Sequence, residues 1–213
     1  MHLTTDTGPP TGPTTAPSAG RSGRPAVTTR AELEQVALEL FGQRGFDATT
    51  VDDIAVAAGI GRRTFFRYYA SKNDVVWGEF EEGLAALRTQ LAGTDASRPL
   101  LEALKDAVLA FNRLDPEHAP WHRSRMALVL GVPALQAHGT LRYAAWRAVV
   151  ADFVGERLDL EPSGLLPQLV AHLCLGAALT AYEQWLLRPD ADLQELLAQA
   201  LDALDGAWAG SHR

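Results

Sequence analysis

The sequence predicts an all-α protein in two parts. The first observation is composition: 35 Ala and 31 Leu stand against 13 Val and 2 Ile, so strong helix formers far outnumber β-branched residues. The second is length, since 213 residues hold one domain of ordinary size plus a small one. The third is punctuation, because apolar periodic segments alternate with Gly, Pro and polar clusters at helix spacing. The single cysteine, Cys174, excludes an intramolecular disulfide and any multi-cysteine metal site, and suits a reducing cytoplasm.

Residues 1–26 contain 5 Pro, 4 Gly, 6 Thr and 2 Ser and have little to bury, so they read as a disordered tail. Arg21 and Arg24 within it, with Arg30, have the makings of a flexible arm along a DNA minor groove. Thr29-Arg-Ala-Glu32 is a capping box that opens a first helix. Leu33, Val36, Ala37, Leu40 and Phe41 then repeat at core-facing spacing. Gly45 is placed to stop that helix, and Thr50-Val-Asp-Asp53 opens a second, of about two turns, with Val51, Ile54, Ala55 and Ala58 inward. Gly59-Ile-Gly61 turns the chain into a third short helix over Arg62–Tyr68. Ser71-Lys-Asn-Asp74 caps a fourth, expected to carry Val75, Phe80, Leu84, Leu87 and Leu91 on one stripe.

Net charge is −7, but it is not evenly spread. Residues 1–75 hold 8 Lys/Arg and 8 Asp/Glu, while residues 76–213 hold 11 and 18 and so account for the whole excess. Gly59–Asn73 carries Arg62, Arg63, Arg67 and Lys72 without an acid. Two short helices joined by a glycine turn, braced by a longer one, with the basic patch on the second, are the layout of a helix-turn-helix unit. Residues 27–75 therefore form the expected DNA-binding domain, and 76–213 a second helical domain.

Leu40-Phe41, Gly45-Phe46, Thr49–Ala55, Ala58-Gly59-Ile60, Thr64–Tyr69 and Ser71–Asp74 together resemble the N-terminal domain of the TetR family of bacterial repressors. Phe66 departs from it, standing where many members carry Tyr. A narrower resemblance, carried by Arg62–Arg67, Ser71–Asp74, Trp77-Gly78, Pro133–His138, Arg142–Arg147 and Ala181–Trp185, is to regulators encoded with mycofactocin biosynthesis genes in actinobacteria. Arg62 and Arg63, at the head of the recognition helix, are placed to read guanine edges. The resemblance implies groove or backbone contacts for Thr64 and Phe66, and phosphate contacts for Tyr68 and Lys72. Thr50, at a helix N-terminus, suits a phosphate. Arg67 is open between a phosphate and pairing with Asp52 or Asp53. Phe65 and Tyr69 read as core.

In the second domain, Gly, Pro and polar clusters put breaks near 93–98, 114–120, 131–133, 159–164 and 188–190. The last two helices carry apolar stripes, Leu169, Leu173, Ala177 and Ala181, then Leu193, Leu196, Leu197, Ala200, Leu201 and Leu204, fit for a homodimer interface. The resemblance implies a ligand pocket here. Its candidates are Phe111, Trp121, His122, Arg123, Arg125, Met126, Tyr143, Trp146, His172 and Trp185, a mix of apolar and orienting groups. Arg123 and Arg125 beside His122 suit a phosphate or carboxylate, and a long-chain acyl-CoA effector follows from the narrower resemblance.

His118 and His122 are four apart, but Pro120 between them argues against a shared metal. His172 and Cys174 read as buried helix residues. The residues show no Ser-His-Asp order, P-loop or dinucleotide fingerprint, which disfavours an enzyme, and no cofactor is expected. Leu169–Leu187, the most apolar run, is broken by polar residues and reads as a buried helix rather than a membrane span. The expected protein is a cytoplasmic, dimeric repressor of a palindromic operator, its DNA affinity changed by a small effector. The competing class is an all-α ligand carrier or enzyme with an idle helix-turn-helix.

Overall fold

The computed structural model describes residues 29–113 and 119–209, all regular structure among them being helix. The expected tail over 1–26, with Arg21 and Arg24, and His118 of the metal pair lie outside the described residues.

Helix α1 (Arg30–Arg44) begins at the expected capping box, with the Glu32 N–H donating to the Thr29 hydroxyl at 3.2 Å and the Thr29 N–H to the Glu32 carboxylate at 3.0 Å. Gly45 ends it at φ +84°, a conformation that favours glycine. α2 (Val51–Ala58) repeats the device with Thr50 and Asp53, then Gly59 in the left-handed conformation turns the chain into α3 (Arg62–Tyr68). Leu33, Ala37, Ile54, Phe65, Val75 and Val76 are completely buried where these helices meet α4 (Lys72–Trp77).

The fourth helix is shorter than expected from the sequence. A single helix running from Ser71 through the Leu91 stripe gives way to α4 and a separate α5 (Phe80–Ala92), with Gly78 between them at φ +55°. A side chain at Gly78 would collide with Arg125 and Glu34, so the break lets another helix approach the chain.

α6 (Leu100–Phe111), α7 (Ala119–Gly131), α8 (Pro133–Leu158), α9 (Leu165–Leu187) and α10 (Leu193–Ala209) complete the molecule. Pro133 stands at the first turn of α8, where its missing N–H costs nothing. By length and composition α9 is apolar enough to cross a membrane. Here it is a core helix, burying Val170, Ala171, Cys174, Ala178, Ala181, Tyr182 and Trp185 against its neighbours, principally α8 and α10. Burial pushes the Cys174 thiol up to about 12, so it is an inert apolar group. His172 is the exception to the buried reading: it is exposed, with Nδ1 bonded one turn back to the Gln168 carbonyl at 2.8 Å.

Two apolar clusters result, one around α1–α4 and one around α5, α6, α8, α9 and α10. α7 is shared, since Met126 and Leu130 pack against both.

Candidate DNA-binding surface and ligand cavity

Helix α3 is anchored by Phe65 and Tyr69, which are 0% and 3% exposed and face α1. Anchoring these two turns Arg62, Arg63, Phe66 and Arg67 outward, all exposed, with Thr64 and Tyr68 half-buried beside them. Phe66 is a large apolar side chain left 44% in water, with the Arg62 guanidinium 5.3 Å above its ring. Arg62 also holds Asp52, with Nη1 2.8 Å from each carboxylate oxygen. Asp53 is taken by Arg44 at 3.4 Å and by Thr50, whose hydroxyl donates to it at 2.6 Å. Of the two placements open to Arg67, the structure therefore gives neither aspartate; its guanidinium lies 5.2 Å over the Tyr68 ring.

Lys72 is occupied otherwise than its expected phosphate role requires. Its ammonium donates to the Phe46 and Thr49 carbonyls at 2.8 and 3.0 Å, approaches that of Asp47 at 3.5 Å, and sits over the Phe46 ring. An ammonium has three donors, so this loop absorbs them.

The second site is a cavity of about 170 Å³ between α4, α5, α6, α7, α8 and α9. Phe111, His122, Arg125, Met126, Tyr143 and Trp146, all expected there, line it. Four other candidates are absent from its wall. Trp121 packs into the α1–α4 cluster, and His172 is on the outside of α9. Arg123 lies 4.0 Å over the Trp185 ring and donates to the carbonyls of Trp185 at 2.6 Å and Pro189 at 3.3 Å, so both residues close the end of α9 instead. Asn112, Tyr182, Trp77 and Phe80 also line the cavity, although the sequence reading did not place them there. Trp77 and Tyr182 stand in segments that carry the narrower resemblance, while Asn112 and Phe80 offered only polar or aromatic character.

The apolar wall is a chain of edge-to-face rings, Tyr143–Trp77–Phe80–Phe111–Trp146, with centroids 5.6, 5.7, 6.0 and 6.3 Å apart. The polar end is a directed chain of hydrogen bonds. The Asn112 amide donates to the Val108 carbonyl at 2.7 Å, which leaves its oxygen to accept from the Tyr182 hydroxyl at 2.9 Å. With its proton committed, the Tyr182 oxygen can only accept from His122 Nε2 at 3.0 Å. His122 Nε2 therefore carries a proton, and burial, then the charge of Arg125, lowers the ring to about 4, which favours the neutral imidazole.

The two sites share structure. Val76 and Trp77 of α4 belong to the helix-turn-helix core and line the cavity. On one side of this seam Asp74 accepts from Arg142 of α8 at 2.8 Å and meets His138 Nε2 at 3.0 Å. Burial pushes the Asp74 carboxyl up, but the bonds from Ser71, Arg142 and His138 outweigh it and hold it below its ordinary range. On the other side Arg125 of α7 reaches Glu34 of α1 at 2.5 Å, and the Tyr69 hydroxyl donates to the same carboxylate.

An all-α chain whose helix-turn-helix unit packs on α4, itself one wall of a cavity in the rest of the molecule, has the build of a helix-turn-helix transcriptional regulator. Residues 35–76 match the model of bacterial regulatory proteins of the tetR family, and residues 98–209 match that of the MftR C-terminal domain. The chain belongs to the TetR family and carries the MftR-type C-terminal domain. It is 46% identical over 188 residues to the mycofactocin biosynthesis transcriptional regulator MftR of Mycobacterium tuberculosis, covering 88% of this chain and 95% of that one. It is 31% identical to the regulator TcmR of Streptomyces glaucescens, over 94% and 92% of the two chains. The crystal structure of FadR from Thermus thermophilus in complex with lauroyl-CoA matches with a TM-score of 0.54 at 23% identity, covering 83% of this chain and 93% of that one, a likeness of fold.

Proposed function

We propose that the protein is a cytoplasmic, dimeric repressor of mycofactocin-related genes that binds a palindromic operator and releases or retunes it when an acyl-CoA-type effector fills the cavity. The observation that carries this reading is the double membership of Trp77, in the helix-turn-helix core and in the cavity wall. The identity to MftR supports the gene set, and the FadR complex with lauroyl-CoA supports the effector class.

Arg62 and Arg63 are assigned to base edges, with Thr50, Thr64, Phe66, Arg67 and Tyr68 to groove wall or phosphates. Dimerisation is assigned to the outer face of α9, where Leu165, Leu169 and Leu173 are 86%, 42% and 37% exposed around His172 and Gly176. The α10 stripe is used within the subunit, since Leu193, Leu197 and Leu201 are buried against it. Two copies must then present α3 about 34 Å apart to read successive major grooves.

At about 170 Å³ the cavity is smaller than the roughly 300 Å³ at which drug-sized ligand sites begin, so an acyl chain must spread its walls. Because α4 is one wall, spreading moves the recognition unit, which is how ligand and DNA become coupled. The test is fluorescence anisotropy with DNA from upstream of the gene and a shuffled control, at fixed salt, with and without lauroyl-CoA. Selective binding that lauroyl-CoA changes at least about fivefold is expected. Selective binding that it leaves unchanged discards the effector, and equal binding to both DNAs discards the repressor.

A further inference from the structure

Among the described residues lining the cavity, Arg125 is the one with a fixed positive charge, and that charge is already engaged. Its partner, Glu34, belongs to the DNA-binding domain, lies outside the cavity wall and is only 7% exposed. Glu34 in turn holds the hydroxyl of Tyr69, the residue that ends the recognition helix. An anionic group entering the cavity meets no free cation there and must compete with Glu34 for the guanidinium.

The displaced carboxylate has a second partner within reach of its own helix. Arg30 stands four residues before Glu34 on α1, the spacing at which helix side chains pair. Its guanidinium lies 5.0 Å from the Tyr69 ring, its buried Nε has no hydrogen-bond partner, and its Nη1 reaches Glu82 of α5 at 3.2 Å. Turning Arg30 toward Glu34 gives that Nε an acceptor. It also draws Arg30 away from Glu82.

We infer that Glu34 is a two-position switch: an anionic head group on an apolar ligand takes Arg125 from it, and Glu34 re-pairs with Arg30 along α1, so that the α1–α7 and α1–α5 ion pairs are lost together. This rests on the cavity being the effector site. It adds that the effector is sensed by exchange of one guanidinium between two carboxylate-like partners, and that its charge, not only its bulk, frees the recognition unit. The acceptor on the ligand is a carboxylate or phosphate oxygen, since both match the planar fork of arginine.

The experiment is a tryptophan-fluorescence titration of the full chain and two variants with dodecanoate, lauroyl-CoA and the neutral dodecanol, paired with DNA anisotropy. Glu34→Gln keeps shape and the Tyr69 bond but removes the competing charge. It is expected to bind the anionic probes at least about fivefold more tightly and dodecanol as before, with unliganded DNA affinity shifted toward that of ligand-saturated wild type. Arg125→Gln is expected to bind dodecanol and dodecanoate alike. A gain for dodecanoate alone assigns the head group to a carboxylate, and one for lauroyl-CoA alone to a phosphate. Glu34→Gln affecting all three probes equally, or Arg125→Gln retaining wild-type preference for the anions, overturns the exchange while leaving the effector site standing. Wild type that binds none of the three overturns both.

Discussion

Gly139 in α8 offers a quantitative test of the seam between the two sites. A methyl group there would lie 2.7 and 2.9 Å from Cζ2 and Cη2 of Trp77 and 3.3 Å from Cε2 of Tyr143. Trp77 has little room to yield, being 9% exposed, stacked on by Arg142 at 5.2 Å and held edge-on by Phe80 and Tyr143. Overpacking of this kind costs about 1–3 kcal/mol. Gly139→Ala also gains helix propensity of up to about 1 kcal/mol, which offsets part of the clash. Gly42→Ala in α1 supplies the reference, because nothing lies within 4 Å of its new methyl group and only the propensity gain operates. The difference between the two variants isolates the clash, about 1–3 kcal/mol. For a chain of this size that is roughly 2–12 °C between their melting temperatures by circular dichroism. Gly139→Ala melting at or above Gly42→Ala would show that Trp77 is not tightly held and would refute the close packing of α4 on α8.

Lys72→Met is expected to lose about 1–3 kcal/mol of stability with the carbonyls of the 46–49 loop, measured by urea denaturation, and to leave the salt slope of DNA binding unchanged; a slope reduced by about 1 would restore the phosphate contact. His122 has a native value near 4 against 6.5 unfolded, so between those values the unfolded chain binds a proton that the native chain refuses, and stability falls as pH falls. His122→Gln should flatten that decline by up to about 1.4 kcal/mol per pH unit, and parallel wild-type and variant curves would count against the buried neutral imidazole. Arg63→Ala is expected to lower the preference for upstream over shuffled DNA by about 1–3 kcal/mol in competition anisotropy; an equal loss on both DNAs would make Arg63 a backbone contact. Leu169→Asp on the outer face of α9 should yield monomer by light scattering, and an unchanged mass would move the interface elsewhere.

Most of the helices, their starts and the exposed face of α3 were legible in the residue order because they depend on local physics. A Thr followed three residues later by an acid, placed just ahead of an apolar periodic run, can satisfy the free donors of a helix start, and both boxes read that way formed. Phe65 and Tyr69 read as inward and are buried, and the helical period then sends Arg63 and Arg67, on the far side of the helix from Phe65, outward. The break in the fourth helix went unread: Phe80 to Leu91 keeps helical spacing, but the longer step from Val75 to Phe80 does not, and there Gly78 divides the helix because α7 needs the space.

What the tertiary structure decided was which inward group meets which. Periodicity says that a side chain points to the interior, not whether it finds a cavity, a carbonyl or a counter-ion. Arg123 and Arg125 are two apart on one helix, so they face different sides; one closes the end of α9 and the other reaches the cavity and Glu34. The bonds that define the site, Glu34 to Arg125, His122 to Tyr182 and Tyr182 to Asn112, join residues 91, 60 and 70 positions apart. Their partners are set by the angles at which long helices cross. Those angles follow from the packing of whole side-chain rows, which no single stretch of sequence contains.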